Sequence, residues 1–116
     1  MSLTGDRQAI ATALSNADGV TGYPYRPTPA REGDGWPLVA GLERGPAQNF
    51  EATWRVAIAL PANERAASEW FDDHHASIVE ALEDAEVGYV DRIEPATLNT
   101  EGGDQDIMLI TFRSEA

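Results

Sequence analysis

The sequence predicts a single α+β domain, a mainly antiparallel sheet with two helices packed on one of its faces. Three observations predict it. From Phe50 to Leu60 the larger apolar residues recur at every second position without a break, the period of a strand with one buried face. Residues 4–17 and 63–83 instead carry apolar residues at helical spacing. The remaining strand signals fall between and after these segments, so the elements run α-β-β-β-α-β-β. A chain of 116 residues can bury one modest core, so residues 1–116 read as one domain.

In the first helix, Ile10, Leu14 and Ala17 share a face, with Ala11 and Ala13 between them. Thr4 is the expected N-cap, Asp6 suits the positive end of the helix dipole, and Asn16, Asp18 and Gly19 close the helix. Val20, Tyr23 and Tyr25 suggest a short strand that Pro24 confines to an edge or a bulge. Residues 26–35, "RPTPAREGDG", read as an exposed loop. A second strand follows, with Trp36, Leu38, Ala40 and Leu42 expected on one face, and then a turn at 45–49. In the third strand, Ala57 and Ala59 on the face away from the greasy one are small enough for another element, or a neighbouring subunit, to pack closely. Asn63 is the expected cap of the second helix. A strand through Val87, Tyr89 and Ile93 is expected to end near Pro95. A mobile acidic loop near 99–106 and a last strand, "IMLITFRSE", complete the domain.

Composition narrows the function classes. A hydrophobic content of 42% and a charged content of 24% are globular values and argue against disorder. No apolar run approaches the roughly 18 residues that cross a bilayer, and "MSLTGDRQAI" has no basic stretch leading into an apolar one, so no membrane partner and no secretion signal are expected. Without cysteine there is no disulfide, thiolate nucleophile or thiolate metal site. Twenty acids face eight bases, all of them arginine, for a formal charge of −12. With no basic cluster, gripping the phosphate backbone of a nucleic acid is disfavoured. Arginine without lysine, beside many alanines, points to a GC-rich coding source.

The one stretch with the residues of a reaction centre is Asp72-Asp73-His74-His75, which holds both histidines. On a helix turning about 100° per residue, Ala67, Phe71, Ile78, Ala81 and Leu82 form an apolar arc that takes in His74 and Trp70. Asp72 and Asp73 point away from it. Adjacent histidines diverge by about 100° and do not share an ion easily. The pairs with ligand spacing are Glu69 with Asp73 and Asp72 with His75, both ordinary on a solvated helix face. The segment therefore reads as a sheet-covering helix, with His74 a boundary histidine held by a local hydrogen bond. No serine lies in a G-x-S-x-G elbow, and "EGGDQD" lacks the lysine of a phosphate-binding loop. Arg92 between Asp91 and Glu94 reads as an ion-pair organiser. The sequence supports no catalytic, cofactor-binding or metal-ligating residue and no cofactor.

Three phrases carry a resemblance: "LTGDRQAIATALSNADGVTGYPYRPTPAREGDGWPL", "ATWRVAIALPANERAASEWFDDHHASIVEALE" and "VGYVDRIEPATL". In their order and loop lengths they resemble the tail terminator proteins of long-tailed bacteriophages, especially those of high-GC actinobacterial hosts. The resemblance covers nearly the whole chain and is loosest at "TEGGDQD". It implies a virion structural protein at the head-tail junction, made in the host cytoplasm, with no enzymatic activity. It implies a homohexameric ring that caps the tail tube, ends its elongation and meets the head-completion or stopper proteins of the neck. Tyr23, Tyr25, Arg26, Arg31, Trp36, Arg55, Ala57 and Ala59 are then candidates for contacts with a subunit or partner. Six copies of so acidic a chain would surround the passing DNA with negative charge and let it slide through without specific binding. Three alternatives compete: a neck or head-closure protein of the same virion, a small metal-dependent enzyme using Asp72 to His75, and a monomeric ligand-binding domain with Trp36 and Trp54 lining a pocket.

Overall fold

A computed structural model describes residues 3–44, 50–100 and 103–115. The elements are α1 (Leu3–Ser15), β1 (Thr21–Gly22), β2 (Asp34–Arg44), β3 (Phe50–Ala59), α2 (Glu64–Asp84), β4 (Gly88–Thr100) and β5 (Gly103–Glu115). They form one five-stranded sheet in the order β1-β2-β3-β5-β4. Only β1 and β2 are parallel; every other neighbouring pair is antiparallel. Both helices lie on one face of the sheet, so the predicted α+β class and element order describe the molecule.

The core follows from the alternation in β3. Ala52, Trp54, Val56 and Ile58 face the helices, paired in register with Ser114, Phe112, Ile110 and Met108 of β5. Ile10 and Leu14 of α1 and Ala67, Ile78 and Leu82 of α2 close over them, all buried. Each large side chain removed from water here contributes about 1.5–3 kcal/mol. Phe50, the first residue of the alternating run, lies beyond the helices and is exposed.

Local chemistry fixes each helix. Asn63 caps α2, its Oδ1 accepting the Ala66 N–H at 3.1 Å. Helix α1 already includes Thr4, which is therefore not a cap. Its first turn is tied down instead by Asp6, only 2% exposed. Trp54 Nε1 donates to Ser114 Oγ at 2.9 Å, and Ser114 Oγ donates to Asp6 Oδ2 at 3.3 Å. Helix α1 ends into Gly19, whose φ of 78° suits glycine. At Gly22 the chain passes so close to α1 that a Cβ would meet the Ala11 carbonyl oxygen.

Several expectations need correction. The short strand around Tyr23 reduces to Thr21–Gly22, the residues in register with Asp34 and Gly35 of β2. The exposed loop ends at Gly33, since Asp34 and Gly35 are paired strand residues. Trp36 and Leu42 do not share a face. A bulge between Val39 and Gly41 puts Trp36 opposite Ala57, away from the helices, and Leu42 opposite Ala52, on the helix side. The largest correction concerns residues 99–106. Asn99 pairs with Asp104 and Thr97 with Asp106, so these residues belong to a long β4–β5 hairpin; Glu101 and Gly102 lie outside the described residues. Pro95 does not end β4, because β4 is an edge strand and its outer side asks no partner for an N–H. The turn expected at 45–49 also lies outside the described residues.

On the face away from the helices, residues 23–33 form a strap. It is tethered by Tyr23 N–H to Gly35 O at 2.8 Å, Gly33 N–H to Ala59 O at 2.9 Å and Gln105 Nε2 to Ala30 O at 3.2 Å. Trp36, Ala57 and Ile107 form a second, smaller core beneath it.

Candidate functional site

The Asp72 to His75 segment is a helix face and not a cluster. His74 is half-buried, its Nδ1 2.8 Å from Trp70 O, where a ring N–H donates to the carbonyl. Its ring stacks on Trp70 with centroids 4.0 Å apart. A Cβ on Gly19 would lie 3.0 Å from His74 Nε2, so the imidazole fills the gap between α2 and the turn after α1. The neighbouring His75 is exposed, with Nδ1 3.1 Å from both Phe71 O and Asp72 O. Asp72 and Asp73 are exposed, and Glu69 pairs with Arg65 at 2.9 Å. Among the described residues no three His, Asp or Glu side chains are placed to hold a metal ion.

The tryptophans do not form a shared pocket. Trp54 faces the helices and Trp36 faces the strap, so the sheet stands between them, and both are fully buried. Trp36 Nε1 has no hydrogen-bond partner among the described residues.

The eight candidate contact residues divide. Trp36, Ala57 and Ala59 are buried within the chain itself: the close-packing element expected over the two alanines is the chain's own strap. Tyr23 is half-buried beside them. Arg26 is exposed, its guanidinium 5.7 Å from the Trp36 ring centre. Tyr25 is 63% exposed, with Arg7 over its ring at 4.7 Å. Arg31 and Arg55 are exposed as well, Arg55 on the strap side of the sheet beyond the strap. On that side lies a charged network: Arg113 reaches Asp91 at 3.3 Å and Glu51 at 3.5 Å, and Arg92 reaches Glu94 at 2.8 Å. The hydrogen bond and charge of Asp91 raise the Arg113 guanidinium above its ordinary pKa.

Two surfaces escaped the sequence reading. The first is the helix-side face of the β2–β3 hairpin beyond α1, where Val39, Leu42 and Phe50 are 44%, 46% and 44% exposed. Arg44 pairs with Phe50 across the strands, its guanidinium 5.2 Å from the ring centre. The second is a cleft of about 400 Å³ between the first turns of α2 and the β4–β5 hairpin. Leu60, Ala67, Phe71 and Pro95 give it an apolar floor, and Glu64, Asp72 and Asp106 stand around it. Asp72, singled out as a possible ligand, is thus a rim residue. Alternation alone counts Leu42 and Phe50 as core; only the length of the helices shows that neither helix covers them. The cleft joins residues distant in sequence and had no local signal.

No helix of the described residues is long and apolar enough to cross a membrane. No protein-family model matches the chain, and no curated protein matches it in sequence.

Proposed function

We propose that this chain is a virion structural protein that assembles into a homohexameric ring, caps a phage tail tube and joins it to the neck. The observation that carries this reading is the apolar strip of Val39, Leu42 and Phe50, laid on a hairpin that its own helices leave bare. Exposed apolar side chains side by side on one sheet face favour burial against another protein surface. The helix-sheet order supplies a rigid wedge to carry that strip, and the strong acidity suits a channel through which DNA slides. Nothing in this role requires a bond to be made, so the exposed acids serve as solvation and rim charge.

The test is to add the purified chain to polymerising tail-tube subunits of a long-tailed phage from a high-GC host. Tubes should stop growing at a length set by the ratio of chain to tube subunit. Negative-stain images should show a ring seated on one end. Tubes of unchanged length with bare ends would overturn the proposal.

A further inference from the structure

We infer that the β2–β3 hairpin of one copy docks, helix-side face down, in the cleft between α2 and the β4–β5 hairpin of the next copy. The inference rests on the ring reading for its occupant, and it adds which surfaces meet and in what sense.

The two surfaces are complementary in both polarity and charge. The hairpin presents Leu42, Phe50 and Val39 with one guanidinium, Arg44, among them. The cleft presents an apolar floor at Phe71, Leu60 and Pro95 with carboxylates at Glu64, Asp72 and Asp106 around it. An apolar insert bearing a cation is what an apolar cleft rimmed by acids accepts, and rim charges of opposite sign steer such an encounter. The acids of the hairpin, Glu43 and Glu51, project from its other face. They are directed away from the carboxylate rim.

Placement gives the contact its sense. Strand β3 runs from Phe50 at one end of the sheet to Ala59 at the other, and α2 starts where β3 ends. The hairpin strip therefore lies at one end, beside the β2 edge. The cleft lies at the opposite end, beside the β4 edge. The molecule is 45 Å long, so no copy can seat its own hairpin in its own cleft. A contact between unlike patches at opposite corners is head-to-tail and repeats from copy to copy, closing into a ring when the rotation closes.

The chain has no cysteine, so introduced thiols report cleanly. Leu42→Cys places a thiol on the strip, Ser68→Cys one at the cleft, and Thr12→Cys one on an exposed position of α1 as a reference. The single variants, full length and folded by circular dichroism, are mixed in pairs at high concentration and oxidised. Disulfide trapping captures a weak contact even where most chains are monomeric. The 42–68 heterodimer should form about tenfold faster than the 42–12 pair, a preference of about 1.4 kcal/mol. Arg44→Glu should abolish that advantage, and Asp72→Arg in the partner chain should restore part of it. Equal rates for the two pairs, or a 42–42 homodimer as the leading product, would overturn the inference. Rings that form in images without 42–68 trapping would sink this contact and leave the ring reading standing. Efficient trapping with only open chains would keep the contact and sink the ring.

Discussion

On the helix side of the sheet, Trp54 is buried and donates its indole N–H to Ser114; on the other side, Trp36 is buried as fully and its indole N–H finds no acceptor among the described residues. The same strand, β3, lines both cores. What differs is the cover. Two helices bring a continuous apolar stripe, and the first turn of α1 brings Asp6, which completes the network. The strap is short and rich in proline, so it can hide Ala57, Ala59 and Trp36 but offers few groups to match a buried donor. Leaving a buried donor unmatched costs about 1–3 kcal/mol. The strap-side core is therefore the weaker of the two, and the sheet is held chiefly from one side.

Cutting back a side chain in each core is the strongest way to break this contrast. Phe112→Ala should destabilise the chain by about 3–5 kcal/mol in denaturant unfolding, because the helices cannot collapse into the gap. Ile107→Ala under the strap should fall at the low end of the roughly 2–5 kcal/mol range for aliphatic truncation, since the strap can settle. Equal losses at the two sites would remove the distinction. A smaller change sharpens it. Trp54→Phe takes a donor from Ser114 and should cost about 1–3 kcal/mol, whereas Trp36→Phe removes the orphan donor and should be neutral or slightly stabilising. A loss at Trp36→Phe matching that at Trp54→Phe would show that the strap side is as well satisfied as the helix side.

The smallest effect belongs to the charged network beyond the strap. Asp91→Ala should lower stability only slightly, and less in high salt, as solvent-screened ion pairs do. Because Asp91 raises the Arg113 pKa, the stabilisation is present in full below the ordinary arginine value and fades only as pH rises above it. Titration from neutral pH to pH 9 should leave the Asp91→Ala difference unchanged; a difference that shrinks across that span would assign it to another group.

Legibility in the sequence followed periodicity. The alternation from Ala52 to Leu60 and the arc from Ala67 to Leu82 were readable because each buried face imposes its period on the residues. The half-buried position of His74 came from the same arc. The hairpin at 99–106 was not readable, because it meets the rest of the chain chiefly through Gln105 at the strap, and its strands carry the Asp, Asn and Gly of a loop. The bulge at Ala40 shifts the register of β2 without any change in residue type. The strap followed no period, so small residues at 57 and 59 announced a close neighbour without saying whose. Of the candidate contact residues, Tyr25, Arg26, Arg31 and Arg55 remain open to solvent.

Strand β4, at the rim of the sheet, runs 13 residues, and such a length of unpaired backbone is a template on which further copies could stack into fibrils. Two breaks guard against this. The irregularity between Val90 and Arg92 dislocates the ladder, and Pro95, a few residues on, has no N–H to offer a newcomer. The rim of the sheet is thereby kept from extending strand by strand, and what it offers a neighbour is side chains and not backbone.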